Sequence, residues 1–549
     1  MLAVNQIQRH RMNDGRHRNQ KIVIAIIVLA GSLFFLFFNL GHYALWDDEA
    51  TTALYAQSVW RTGDTYALLD HHLIAYDSGI DLKGLYSRYM PPLPFYLAAV
   101  FVGNFPGSAF AARLPFAICG LLAVGMMLLW LWRSGASLKT WGLTAIGILC
   151  NVSLMLFSRQ CRYYSISILM AILLAFLYFY RDERIKTSAA ITVTSLLLFS
   201  SNYLSYAAVY ACLIVDYLFW GRKTRPIPYP QLAIIFIPQF LVGGLIFNIF
   251  NPLGKDLWEH YTYAQFWRGK AALLLESFYS LNACELGVGI LILLAPILYL
   301  FTRDNLLRCF VAVGTYLLVV GLLSPPLSKI GTTVRYLAPL IPLCILTTAL
   351  SIQALTIRLK WLSIPLAVFA FGTNVLPGGP WGLTDNKTKF SRVLAQDRFR
   401  STVIEFMKEL ISPPPSAYRV TSAWINQNLT EGDTLWVMPS YATYPLMYHA
   451  PKPTYAWQLK GVSESFKGLS AIHFMYQIPP DYVIAFGPYV GIVQDELVAL
   501  EKRGVHYVQI QQIDQYWYDL TRPELFWHSF RKIENYSSTS EAVYIFKRI

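Results

Sequence analysis

The sequence predicts an α-helical polytopic membrane protein of about eleven spanning helices, with an extramembrane α/β domain at its C-terminal end. Three observations carry that prediction. The 549 residues are 55% hydrophobic and only 14% charged, too few charges to cover a soluble protein of this length. The apolar residues gather into runs of spanning length. From about Gly378 onward the runs stop and the composition becomes mixed.

Eleven segments have the character of spans: 22–40, 109–131, 140–157, 165–180, 187–200, 204–220, 231–249, 286–301, 306–323, 336–354 and 360–376. The first is long enough to span, and no small-residue cleavage site follows it, so it reads as a retained helix rather than a signal peptide. With residues 1–21 on the cytoplasmic side, the inner connections carry 17 Lys or Arg against four acids. The first outer segment, 41–108, carries seven acids against Arg61, Lys83 and Arg88. This is the positive-inside pattern. It accounts for the net charge of +13 without nucleic acid as a partner. Eleven spans place the C-terminal domain outside.

Two outer segments are long. In 41–108, "EATTALYAQSVWRTGD" combines good helix formers with an acidic start and a glycine stop at Gly63, and reads as a helix lying on the membrane surface. "YMPPLPFYLAAVFVGNF" begins with a proline break and continues as a second interfacial helix. The segment 250–285 contains "DLWEHYTYAQFWRGK", a Trp, Tyr and charge mixture suited to an interface. In residues 378–549, "TSAWINQNLTEGDTLWVM" reads as helix, turn and strand. "DYVIAFG", "HYVQIQQI" and "AVYIFKRI" read as strands, and "DELVALEKRG" as a helix closed by glycine.

The seven cysteines have no metal-site spacing. Cys161 and Cys284 flank loops on one expected side, where a disulfide is conceivable. His71 and His72, with Asp70 and Asp77, are weak as a metal site, because adjacent imidazoles chelate one ion poorly. There is no Walker loop, GxSxG or HExxH, and no internal repeat of the kind transporters often show.

Chemistry is concentrated in "YALWDDEATTALYAQ", where Asp47, Asp48 and Glu49 follow the first span. Acids at a helix start accept free backbone N–H groups and meet the positive end of the helix dipole. One or two suffice for that. A further carboxylate at a membrane surface can act as general base toward an acceptor hydroxyl.

Taken in order, "LWDDEATTALYAQSVWRTGD", "PPLPFYLAAVF", "ARLPFAICGLL" and "SRQCRYYSISILMAILLAF" resemble the GT-C superfamily of membrane glycosyltransferases. The similarity is to the branch that includes the lipid A aminoarabinose transferase and the protein O-mannosyltransferases. It covers order and spacing through about residue 180, and layout thereafter. The resemblance implies transfer of a sugar from a polyprenyl-phosphate donor to a lipid, glycan or protein acceptor on the outer face of the cytoplasmic membrane. It places the family's Asp-Glu pair on Asp48 and Glu49, with Asp48 as base or acceptor-orienting group and Asp47 as an extra acid. The leaving phosphate calls for cations. Arg159, Arg162, Arg335 and Arg88 are the candidates on the outer side, and Arg113 reads as a tie between the second span and neighbouring loops. His260 stands where relatives can carry a functional histidine. Two departures weaken the case for the same donor or for a divalent metal. Tyr89-Met90 replaces a Glu-Lys pair, and Asn202-Tyr203 replaces a Lys-Gly. No cofactor is called for with certainty. The competing reading is a polytopic transporter or lipid flippase.

Overall fold

The computed structural model describes residues 2–77, 79, 82–182, 184–254, 263–281, 305–324, 334–373, 401–413, 415–461, 466–514 and 542–549. Ten of the eleven expected spanning segments are helical there, and 286–301 lies outside the described residues. In chain order the helices are α1 (Leu2–Phe37), α4 (Ala109–Arg133), α5 (Leu138–Cys150), α6 (Val152–Ser158), α7 (Tyr164–Phe179), α8 (Ile185–Ser201), α9 (Tyr203–Thr224), α10 (Tyr229–Ile249), α12 (Asn305–Leu323), α13 (Arg335–Leu355) and α14 (Lys360–Gly372). Between them lie α2 (Asp47–Thr62), α3 (Leu93–Asn104) and α11 (Tyr263–Leu281).

Six of these helices are long and apolar enough to cross a membrane, or seven if α5 and α6 form one bent span. The expectation of eleven also counts α7, α8 and α14, which are apolar but shorter than a full span, and 286–301, which lies outside the described residues. The bend between α5 and α6 is 59°. Its cause is local: Asn151 leaves the helical conformation, and its side chain accepts from the Leu154 N–H at 2.7 Å, starting a new helix. Large apolar side chains remain on the outside of the bundle, including Ile26 and Ile27 on α1, Phe240 and Leu241 on α10 and Trp361 before α14. In water that surface would be untenable, whereas in a bilayer it is the solvent-facing side. The protein is a multi-pass membrane protein.

Segment 41–108 is more built than its sequence suggests. The α2 helix begins at Asp47 and ends at Gly63, whose left-handed conformation (φ 79°) lets its N–H bond the Val59 carbonyl. Two short hairpins follow, β1 (Leu68–Leu69) with β2 (His72–Leu73) and β3 (Leu82–Lys83) with β4 (Tyr86–Ser87). Expected to lie on the membrane surface, α2 instead is enclosed. Ala50, Ala53, Leu54, Tyr55 and Ala56 are each at most 2% exposed. Its alanine-rich faces admit two neighbours at once, α3 on one side and the C-terminal helix α17 (Thr443–His449) on the other.

The C-terminal unit has the expected strands and helices. Helices α16 (Ala417–Asn428) and α18 (Val490–Glu501) accompany β5 (Thr434–Met438), β6 (Thr454–Tyr455), β7 (Tyr482–Phe486), β8 (Tyr507–Ile513) and β9 (Val543–Arg548). The sheet order is β6-β5-β7-β9-β8, with β5 parallel to β6 and β7, and β9 antiparallel to β7 and β8. The two-residue strand β6 has too short a period to be read from sequence. A preceding helix, α15 (Thr402–Ile411), sides with the membrane helices instead: Phe406 and Leu410, one turn apart, join their core, and the Phe406 ring lies 5.9 Å from that of Phe35. The sheet unit is not separate from the rest. Its Tyr444, Leu446, Tyr455, Leu459 and Phe474 share one apolar core with Leu54, Tyr55, Leu69, Leu73 and Ile74 of the first outer segment.

Candidate active site

The three acids occupy the first turn of α2, after Trp46 as N-cap in extended conformation (φ −88°, ψ 171°). One residue advances a helix by about 100°, so the three side chains diverge. Glu49 points inward and is 0% exposed. Arg113 of α4 grips it with two bonds, Nε to Oε1 at 2.8 Å and Nη2 to Oε2 at 2.6 Å. The Cys161 N–H adds a third at 2.8 Å, and Glu49 reaches back to the Trp46 N–H at 3.5 Å. Arg113 also donates to the carbonyls of Leu40 (3.1 Å), Tyr43 (2.8 Å) and Ala44 (3.1 Å). This buried pair therefore fixes the course of the chain that leads into α2, as expected of Arg113.

Asp48 points to a different face and is partly buried, its side chain 23% exposed. Two arginines meet at its Oδ2: Arg162 from the turn between α6 and α7, and Arg335 from the start of α13, each at 3.1 Å. Arg162 also donates to the Asp48 carbonyl and to Thr52 Oγ1, both at 3.2 Å. Burial works against the Arg162 charge, but the Asp48 carboxylate together with the neighbouring Tyr164 and Tyr163 offsets it and holds its pKa above the ordinary guanidinium value. Two cations on one carboxylate leave this triad one positive charge in excess. The structure thus unites residues 48, 162 and 335, which the sequence separates by up to 287 positions. Asp47 lies beside them on the helix, half-exposed, and its carbonyl accepts from Thr51 Oγ1 at 2.9 Å.

The other two candidate arginines have different partners. Arg159 donates to the carbonyls of Phe35 (2.6 Å) and Phe38 (3.0 Å), closing the C-terminal end of α1. Burial, and then the charge of Arg113, pull its guanidinium down to about 9, still protonated at neutral pH. Arg88 forms a two-pronged pair with Asp64 (2.7 and 2.6 Å) and lies over the rings of Tyr86 (4.6 Å) and Phe250 (5.0 Å). Its hydrogen bond to Arg88 holds the Asp64 carboxyl below the usual range. His260 and Cys284 lie outside the described residues, and Cys161 is a free, buried thiol. The histidines 71 and 72 share no ligand set with Asp70 and Asp77, because Asp70 pairs with Arg61 and Asp77 with Lys460. Among the described residues no group of three or more His, Cys, Asp or Glu is arranged to hold a metal ion.

Gln160 was not singled out in the sequence. Its Oε1 accepts from the Trp46 indole N–H at 2.5 Å, tying the α6–α7 turn to the N-cap of α2. The signal was a polar amide between arginines in an otherwise apolar stretch. Trp46 and Tyr55 are 1% and 2% exposed and serve the core.

No protein-family model matches the chain. No curated protein matches it either. Solved structures do. ArnT, the lipid A aminoarabinose transferase, from Cupriavidus metallidurans in the apo state superposes with a TM-score of 0.55 at 15% identity, covering 95% of this chain and 97% of that one. The same ArnT bound to undecaprenyl phosphate gives 0.54 at 13% identity over the same shares of the two chains. The Archaeoglobus fulgidus oligosaccharyltransferase gives 0.42 at 11% identity, covering 85% of this chain and 69% of that one. Over 95% of its length the chain superposes on ArnT, and it has the ArnT fold.

Proposed function

We propose that this protein is a membrane glycosyltransferase that moves a sugar from a polyprenyl-phosphate donor to a lipid, glycan or protein acceptor on the outer face of the cytoplasmic membrane. The observation that carries the proposal is the convergence of Arg162 and Arg335 on Asp48. In this reading the acceptor hydroxyl attacks the anomeric carbon of the donor from the face opposite the phosphate. A carbon–oxygen bond forms, the bond to the phosphate breaks, and its electron pair leaves with the phosphate. The proton passes to Asp48. The configuration inverts in one step.

The two arginines suit both states of the cycle. A carboxylate shared by two guanidiniums is favoured in its charged form, which weakens it as a base until another anion takes up those guanidiniums. A donor phosphate is such an anion, and arginine forks match it geometrically. Binding of the donor would release the base at the moment it is needed. In the same reading Asp47 tunes or orients, Glu49 acts through the loop's position, and Arg159 and Arg88 shape the walls. The ArnT complex with undecaprenyl phosphate supports the donor class.

The test uses purified protein, a panel of polyprenyl-phosphate sugars, and Asp48→Asn. Loss of a general base lowers turnover by roughly 10²–10⁴-fold. Full transfer by the Asn variant at normal expression would reject Asp48 as base. No donor turnover by the parent protein, together with solute flux in liposomes, would favour a transporter.

A further inference from the structure

The acidic loop is held from a second direction, by a residue 404 positions away in sequence. His449 closes α17, the helix of the C-terminal unit that packs on α2. Its Nε2 accepts from the Leu45 N–H at 2.9 Å, and its Nδ1 meets the Gly107 carbonyl at 2.9 Å. The chemistry of these partners fixes the ring. A backbone N–H needs an acceptor and a carbonyl needs a donor, so the imidazole is neutral with its proton on Nδ1. One ring thereby links the residue two before Asp47 to the residue two before α4, the helix that carries Arg113. Neighbouring bonds reinforce the seam: Arg419 Nη1 to the His42 carbonyl (2.9 Å) and Tyr448 Oη to the Ser108 carbonyl (3.2 Å).

We propose that His449 is a positioning residue for the transfer reaction: by accepting from the Leu45 N–H it lets the C-terminal unit set where the first turn of α2 presents Asp48. This rests on the reading of Asp48 as the reacting carboxylate. Displacements of an ångström at a reacting group are costly to rate, and remote residues commonly control them. The role is distinct from that of Arg113, which grips the Glu49 carboxylate and the carbonyls of Leu40, Tyr43 and Ala44, whereas His449 takes up the Leu45 N–H from the C-terminal unit.

Two conservative variants separate the two bonds of the ring. In His449→Gln the amide oxygen reaches the place of Nε2 and keeps the acceptor for Leu45. In His449→Asn the amide N–H₂ takes the place of Nδ1, keeping the donor to Gly107 and losing the acceptor. Tyr448→Phe weakens the seam without touching Leu45. The assay is sugar transfer at saturating and limiting donor, with a melting curve for each purified full-length variant. Expected are kcat within about threefold of the parent for the Gln and Phe variants and a fall in kcat of about tenfold or more for Asn, with little change in donor KM. Equal turnover of the Gln and Asn variants would overturn the proposal. So would a Tyr448→Phe loss as large as that of Asn, which would mean that general docking matters. If the Asn variant does not fold, a folded but inactive Gln variant overturns it and an active one supports it. Asp48→Asn runs in parallel. If it is active, the reading of the site fails whatever His449 does, and if it is inactive the His449 result stands by itself.

Discussion

Glu49→Gln is the substitution that most directly separates anchoring from chemistry at the acidic loop. The carboxylate is fully buried, its partner Arg113 has a side chain 3% exposed, and the two share bonds of 2.8 and 2.6 Å. Replacing one oxygen by an amide N–H₂ turns one of those contacts into donor against donor and leaves the guanidinium charge without a counter-ion. Breaking a buried pair in this way costs about 3–5 kcal/mol. The carbonyls of Leu40, Tyr43 and Ala44 remain as partners for Arg113, which argues for the lower end. Thermal melting of the purified protein in detergent should fall by on the order of 5 °C or more. Glu49→Gln combined with Arg113→Met removes both charges and should be less destabilised than the two single changes added together, by at least about 1 kcal/mol. The result that would refute the reasoning is a Glu49→Gln protein that melts with the parent while its sugar transfer is lost. Glu49 would then be acting on the substrate and not on the loop.

Three further outcomes are expected. Burial, followed by the charges of Arg113 and Arg419, lowers His449 to about 4, and burial, followed by His71, lowers His72 to about 4 against the pull of Asp70. Both rings favour the neutral form when folded, so their stabilisation is intact above pH 6.5 and is lost as pH falls toward 4; roughly 3 kcal/mol each is at stake, read from melting temperature against pH. Gly103→Ala should destabilise by about 1–3 kcal/mol, because an added Cβ would lie 2.3–2.5 Å from the Trp60 ring between α2 and α3, and Gly103→Ala with Trp60→Leu should recover most of the loss in the same melting assay. Ending the chain at residue 376 should give aggregated protein in size-exclusion chromatography, since it strips the cover from Leu54, Tyr55, Leu73 and Ile74; a monodisperse, cooperatively melting truncation would show that the shared core is dispensable.

The membrane character, ten of the helices and the main strands of the C-terminal sheet were legible because each is a local matter. Apolar run length fixes a spanning helix, period two fixes a strand, and Gly63 marks a stop by its own backbone freedom. The acidic loop was legible as a place for chemistry for the same reason, three carboxylates beside a span. What the sequence did not divide was the work among them. Glu49 and Asp48 are adjacent and chemically alike, yet one lies wholly buried on Arg113 and the other meets Arg162 and Arg335. Helix rotation sends them to different faces, and only packing decides what each face meets. The four candidate arginines were likewise equivalent in sequence. Tertiary placement gave Arg159 to the end of α1 and Arg88 to Asp64, and brought Arg162 and Arg335 to Asp48. His449 lay beyond reach altogether, because its partners are two backbone groups more than 300 residues away, and backbone groups leave no trace in composition. The sequence by itself determined that this chain lives in a bilayer with an acidic loop at one end of its first span. The tertiary structure decided which acid is an anchor and which meets the arginines, because that depends on contacts between distant elements and not on any property of the residues alone.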